Sequence, residues 1–423
     1  MNLELKKENC SCGRRHGCDI EAVFVECGAI ARLGELCRDY EKILVIADEN
    51  TFRAAGEQTL LALSGKKVET VVFGGSRVLI PDEAAIARVR ESLGDSELIV
   101  GIGSGVIQDL SKYVAHFAAI PYMVVATAPS MDGYASTGAA MILDGMKETV
   151  PAGVPRAVVA DTDVLKNAPL EMIIAGWGDI IGKYSALADW RLSEIVNGEY
   201  LCPEIYETTR EMIERVRGIG KRLLERDGEA VGILMEALIT VGVMMSFTGS
   251  SRPASGSEHH LSHFFEIVGI VRGEPYFPHG IDVAYSTVVT TELRERILSS
   301  PFSRECYAEE RSRREARILE VYGERVGRGC IALQKRIGAY ETDRLSVYLE
   351  REEEIRRALS EMSRAEEIRS MLLEMGLDMK EFYSLYGREK VSEAVRFAMD
   401  LKDRYTVLRL YYDLLGGESV GLQ

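Results

Sequence analysis

Over the first ~165 residues, short apolar runs alternate with amphipathic stretches of helical period. Residues 42–47, 68–74, 98–103, 122–126 and 156–160 read as strands, each brief and rich in Val and Ile. Between two of them, residues 81–93 read as a helix opened by Pro81-Asp82-Glu83. Strands alternating with helices predict βαβ units and a parallel sheet. After Asp163 the pattern changes to long helical periodicities over residues 169–197, 203–225, 229–248 and 257–268. From about residue 290 to the end the chain reads as almost all helical. The charge-rich stretches at 303–317 and 350–370 mix both signs, as solvated helix faces do. The pattern predicts a Rossmann-like α/β domain over residues 1–165, with residues 1–20 as a Cys-rich extension. An all-helical domain over residues 166–423 follows it.

The net charge of −15 argues against a nucleic-acid partner, which requires a basic face. A small anionic substrate would need a local basic pocket. No apolar run is read as approaching the ~20 residues of a membrane span. The N-terminal residues lack the apolar core of a signal peptide, so a cytoplasmic location is expected. Eight cysteines in 423 residues do not make a disulfide scaffold. Cys10, Cys12 and Cys18, with His16, form the one dense cysteine cluster. Its Cys-x-Cys spacing is not the Cys-x2-Cys of zinc ribbons, so reduced thiols are the plainer reading and a zinc knuckle the alternative.

Two loops follow expected strands. Gly101-Ile-Gly-Ser-Gly-Val-Ile-Gln-Asp109 leads into a helix, where unpaired backbone amides can hold a phosphate. Its Gly-x-Gly-x-Gly spacing differs from the Gly-x-Gly-x-x-Gly of dinucleotide-binding turns. Thr127-Ala-Pro-Ser-Met-Asp-Gly-Tyr-Ala-Ser136 offers small hydroxyl groups to a cofactor, or is a polar turn. Ligands of open parallel sheets bind beyond the carboxyl ends of the strands, where both loops fall.

Four of the six histidines lie between His259 and His279. On a helix His259 and His263 share a face, while His260 points about 100° away. A catalytic zinc-type site takes about three protein ligands and keeps one position open. His259 and His279 can supply two of them. Asp179, in Gly176-Trp-Gly-Asp-Ile-Ile-Gly-Lys183, can supply a carboxylate, although by residue type it also reads as a helix N-cap. The plain readings of His263 and Arg252 are a packed histidine and a salt-bridge partner.

Three motifs carry a resemblance: Thr127-Ala-Pro-Ser-Met-Asp-Gly133, Gly178-Asp-x-x-Gly-Lys183 and Gly249-Ser-Ser-Arg-Pro-Ala-Ser-Gly-Ser-Glu-His259. Over residues 20–290 or so the chain resembles the bacterial branch of the sn-glycerol-1-phosphate dehydrogenases. That family shares a fold with dehydroquinate synthase, glycerol dehydrogenase and the iron-containing alcohol dehydrogenases. The resemblance implies a dehydroquinate synthase-like fold and a cytoplasmic homodimer serving phospholipid biosynthesis. It implies a metal-dependent, NAD(P)H-linked interconversion of dihydroxyacetone phosphate and sn-glycerol 1-phosphate. It places cofactor contacts at Gly103, Ser104, Gly105, Val106, Ile107, Gln108 and Asp109, and at Thr127, Ala128, Pro129, Ser130 and Ser136. Asp179, His259 and His279 fall on the metal ligands, and Asp132, Asp179 and His263 on substrate contacts. Asp179 and His263 are the catalytic candidates, His263 as a proton relay.

Lys183 stands where iron-containing alcohol dehydrogenases carry a fourth ligand, which implies a three-ligand site. Asp179 stands where dehydroquinate synthases use glutamate. The metal implied is zinc or nickel, with iron also compatible. Asp48-Glu-Asn50, after the first expected strand, is the place for an acidic residue favouring NAD over NADP. Lys183 and Arg252 are the cations offered to a substrate phosphate. A polyol dehydrogenase, a dehydroquinate synthase-like lyase and a nucleotide-binding protein without activity are the competing readings.

Overall fold

The computed structural model describes residues 4–75, 79–143, 146–302 and 309–416. The chain divides into two units, residues 1–180 with 214–251 and residues 181–213 with 252–423. The division falls inside one continuous helix, Leu170–Asn197.

The first unit opens with a small hairpin of β1 (Lys6–Lys7) and β2 (His16–Gly17). Its main sheet contains β3 (Ala22–Glu26), β4 (Lys42–Asp48), β5 (Lys67–Phe73), β6 (Leu98–Gly103), β7 (Tyr122–Ala126) and β10 (Ala157–Asp161). All neighbours are parallel, in the order β3-β10-β7-β6-β4-β5. A separate antiparallel hairpin pairs β8 (Gly138–Leu143) with β9 (Met146–Pro151). The five strands expected from the sequence are present, each within a residue or so of its expected bounds. The central strands are buried on both faces, which is why they read as unbroken apolar runs. The half-buried edge strand β3 and the two hairpins were not expected.

From β4 the chain runs outward to β5, then returns to β6 on the other side of β4. That reversal makes a topological switch between β4 and β6, and in open parallel sheets ligands bind beyond the strands' carboxyl ends at such a point. Two capped helices follow the outer turns. Asp48 accepts the Asn50 and Thr51 amides at 2.8 and 2.9 Å and starts the helix Glu49–Ala62. Asp82 accepts the Ala85 amide at 3.0 Å and starts the helix Glu83–Leu93.

The helix Gly228–Thr248 corrects one expectation, because it is long and apolar enough to cross a membrane. Glu229 and Glu236 break its apolar run in the sequence. In the fold most of it is buried, packed on β3, the helix Thr162–Leu165 and the turn Gly133–Ala135.

Among the described residues the second unit is helical. Ser257–Arg272 packs on His279–Ser299, and around them lie Arg311–Arg336, Ala365–Glu374, Met379–Phe397 and Val407–Leu415. Aromatic rings form much of its core: Phe265 stacks on Tyr386 at 4.0 Å, and Phe264 meets Tyr322 edge-on at 5.6 Å. The expected helix 203–225 is two helices, Pro203–Arg217 and Gly220–Leu224. Residues 303–308 of the charge-rich stretch and the tail 417–423 lie outside the described residues.

Candidate metal and dinucleotide site

In the first unit the turn after β6 sits at the switch point. Gly101 and Gly103 let the helix Gly105–Ala118 lie directly on the strand. A Cβ at Gly103 would stand 2.5 Å from the Ile107 Cβ, and one at Gly101 would stand 2.6 Å from the Ser111 Oγ. Ile107 and Gln108 are buried against the sheet, and the Gln108 amide donates to the Gly101 and Gly103 carbonyls at 3.0 and 3.1 Å. Ser104, Gly105, Val106 and Asp109 stay half-buried at the helix start. The six expected phosphate-turn positions after Gly103 therefore divide into four that retain exposure and two that brace the turn.

The second loop is fastened beside the first. The Thr127 amide donates to the Gly103 carbonyl at 3.3 Å, and the Tyr134 hydroxyl donates to the Ala128 carbonyl at 2.6 Å. Lys112, a residue the sequence did not single out, is fully buried here. Its ammonium donates to the Gly133 and Gly138 carbonyls at 3.1 and 2.8 Å and to the Ser136 Oγ at 3.3 Å. Burial lowers its pKa, and Asp109 at 3.8 Å opposes that shift. Ser130 and Ser136 are half-buried, whereas Thr127, Ala128 and Pro129 are buried.

Asp179 is not a helix N-cap. It lies in the interior of Leu170–Asn197, fully buried, and its Oδ2 accepts the Asp132 amide at 3.1 Å. Gly176 permits this approach. A Cβ there would stand 1.8 Å from the Pro129 carbonyl oxygen, so only glycine lets the helix touch the loop.

In the second unit three histidines converge. The ring centroids of His259 and His279 are 5.1 Å apart, those of His263 and His279 5.5 Å, and those of His259 and His263 6.1 Å. Ligand nitrogens of His259 and His279 lie within 4.8 Å of one another. The Nδ1 of His259 is 2.6 Å from Glu258 Oε1, and the Nδ1 of His279 is 3.4 Å from Ser262 Oγ. Metal-bound histidines commonly carry outer partners of this kind on the ring nitrogen that does not ligate. Glu258 is fully buried, accepts the Gly256 amide at 2.9 Å, and has its carboxyl pushed up to about 7 by burial. Asp189 braces the same segment by accepting the Ser257 amide at 2.6 Å. Neither Glu258 nor Asp189 was assigned a role from the sequence, since single acidic residues read as solvated.

His260 is fully buried, and its ring nitrogens have no hydrogen-bond partner among the described residues. Lys183 is fully buried one turn after Asp179. Arg252 is held by Glu199, with both guanidinium contacts at 3.1 Å, and donates to the Tyr405 carbonyl at 2.9 Å. Its plain reading as a salt-bridge partner is the observed one. Asp48 is engaged in its helix cap.

Residues 24–169 match the family model of iron-containing alcohol dehydrogenase. An iron-containing alcohol dehydrogenase from Thermococcus thioreducens superposes with a TM-score of 0.62 at 14% identity, covering 94% of this chain and 98% of that one. Glycerol dehydrogenase from Schizosaccharomyces pombe does so with a TM-score of 0.61 at 15% identity, covering 93% and 87%. The fold is thus that of the iron-containing alcohol dehydrogenase class. In sequence, glycerol-1-phosphate dehydrogenase [NAD(P)+] of Geobacillus thermodenitrificans is 33% identical over 303 residues, 70% of this chain and 75% of the relative. The enzyme of that name from Methanothrix thermoacetophila is 33% identical over 258 residues, 59% and 72% of the two chains. The chain belongs to the glycerol-1-phosphate dehydrogenase family.

Proposed function

We propose that the protein interconverts dihydroxyacetone phosphate and sn-glycerol 1-phosphate with NAD(P) and one divalent metal ion. The observation that carries this reading is the convergence of the His259, His263 and His279 rings in a chain with six histidines. The histidine pair fits a divalent ion, with outer partners on both Nδ1 atoms, and the family resemblance supports the Asp179 carboxylate as the third ligand. Three protein ligands leave a position open for a substrate oxygen. When bound, such an ion polarises a carbonyl oxygen, and the dinucleotide supplies or takes up the hydride.

The chain's own groups do the rest. The backbone amides at Ser104, Gly105 and Val106, at a helix N-terminus, bind the pyrophosphate. Thr127 and Ser130 orient the nicotinamide end, with Ser136 held in place by Lys112. Asp132 lies beside Asp179 at the substrate. His263 moves the proton at the carbonyl oxygen. Lys183, fully buried one turn after Asp179, is the cation assigned to the substrate phosphate. Zinc, nickel and iron all suit imidazole and carboxylate ligands.

Removal of metal with a chelator, followed by NADH oxidation with dihydroxyacetone phosphate, tests the reading. Activity should vanish and return with one equivalent of a divalent ion. Full activity in protein shown to be metal-free contradicts it.

A further inference from the structure

The second unit contains a cavity of about 120 Å³, and every residue lining it belongs to that unit. A single water requires only ~10–15 Å³ on this measure, so a tetrahedral oxyanion has room. Four cations line the cavity, Arg344, Lys402, Arg404 and Arg409, against one carboxylate, Asp403. Asp403 is exposed, whereas Arg409 is buried and the other three cations are half-buried. Water screens the exposed carboxylate, while the cations keep more of their field inside the cavity. The fold builds this arrangement. Gln334 is buried, and its amide donates to the Asp400 and Lys402 carbonyls at 3.1 and 2.9 Å, which fixes the turn that carries Lys402 and Arg404. Arg344 Nε donates to Asn197 Oδ1 at 3.3 Å, and its guanidinium lies over the Tyr405 ring at 5.4 Å. Arg404 donates to the Ser255 carbonyl at 3.2 Å. Neutral partners such as these orient a guanidinium fork without cancelling its charge. Behind the cavity, Asp400 Oδ1 is 4.0 Å from Arg409, but Asp400 Oδ2 is engaged by Arg314 at 2.6 Å. Burial and the neighbouring Arg252 charge push the Arg404 guanidinium down to about 10, as crowded positive charge does.

We infer that this cavity binds a phosphate dianion, either the free ion or the end of a monoester. Guanidinium forks match phosphate oxygens in pairs, and Lys402 adds a compact point charge. In a chain of net charge −15, an anion gathers only where the local field is positive, and four cations against one carboxylate supply such a field. The site is separate from the one proposed for the reaction, because none of Asp179, His259, His263 and His279 lines the cavity. The sequence did not announce it, since its cations come from three stretches of mixed charge that read as solvated helix faces or turns. This inference does not rest on the reading of the histidine site.

The test is calorimetric titration of the full-length protein with inorganic phosphate, in chloride buffer of fixed ionic strength. Lys402→Gln and Arg344→Gln should each weaken the binding of one phosphate per chain at least ~10-fold, the effect of losing one charge-assisted hydrogen bond. Asp403→Asn, which removes the one lining carboxylate, should tighten it. NADH oxidation with dihydroxyacetone phosphate, assayed without added phosphate, should be unchanged in all three variants. If a cation variant does not fold, Asp403→Asn at its exposed position still decides by the direction of its effect. Repeating the titration with phenyl phosphate separates the two sources: tighter binding than phosphate marks a monoester as the ligand, weaker binding the free ion. Phosphate affinity unchanged by both cation substitutions, or not raised by Asp403→Asn, would overturn the inference. Loss of NADH oxidation alongside phosphate binding would also overturn it, by making the cavity part of the active site.

Discussion

The backbone amide of Asp132 donates to the carboxylate of Asp179 at 3.1 Å, tying the loop after β7 to the interior of the helix Leu170–Asn197. That bond holds the carboxylate proposed as a metal ligand in place. Asp179→Ala is expected to lose bound metal and to lower kcat/KM at least ~1000-fold, since a Lewis acid contributes several kcal/mol to such a step. Elemental analysis beside steady-state rates checks both effects. Metal content equal to that of the unmutated protein contradicts the assignment.

Glu258 holds the Nδ1 side of His259 at 2.6 Å. Glu258→Gln should weaken metal affinity by about 10- to 100-fold, the usual effect of removing such an outer partner. Competition with a chromogenic chelator measures it. Unchanged affinity would show that Glu258 braces the helix start through the Gly256 amide and does not tune the ligand.

Gly176→Ala would force a methyl group into the Pro129 carbonyl, which stands 1.8 Å from that position. We expect a loss of about 1–3 kcal/mol in stability, as for other overpacked sites. The KM for NAD(P)H should rise, because Thr127 to Ser130 must shift. Thermal melts and coenzyme titrations report the two effects separately, and an unchanged melt sinks the packing argument.

Asp189 accepts the Ser257 and Val407 amides, and burial pushes its carboxyl up to about 6. Its pKa in an unfolded chain is about 3.9, so between these values the folded state binds the extra proton. Stability from this group is therefore greatest below pH ~4 and falls as the pH rises to about 6, by on the order of 3 kcal/mol in all. Asp189→Asn lacks that titration. The stability of the unmutated protein minus that of the variant should therefore shrink across this window and level off above it. Urea unfolding at several pH values measures the difference, and a constant gap contradicts the shift.

Much of this was legible in the sequence where burial is two-sided or residue types are rare. Strands such as β4 and β6 are buried on both faces, so they read as runs. The histidine window stood out because histidine is scarce in the chain. Strand β3 was missed because all five of its residues are half-buried, which leaves no periodic signal. Lys112 was missed because a buried charge is invisible until its partners are known, and those partners are groups from another segment; Glu258 was missed because its burial, not its neighbours Gly256 and His259, sets it apart. Asp179 looked like a cap because residue type alone says nothing about where a helix begins.

The central claim is the reaction itself. The most direct test compares sn-glycerol 1-phosphate, sn-glycerol 3-phosphate and glycerol as reductants of NAD(P), using protein with one active-site metal equivalent. Turnover of sn-glycerol 1-phosphate is expected, with kcat/KM for the other two lower by at least ~100-fold, about 2.7 kcal/mol of discrimination. Equal or faster turnover of glycerol, or no net reduction of NAD(P) by any of the three, would contradict it.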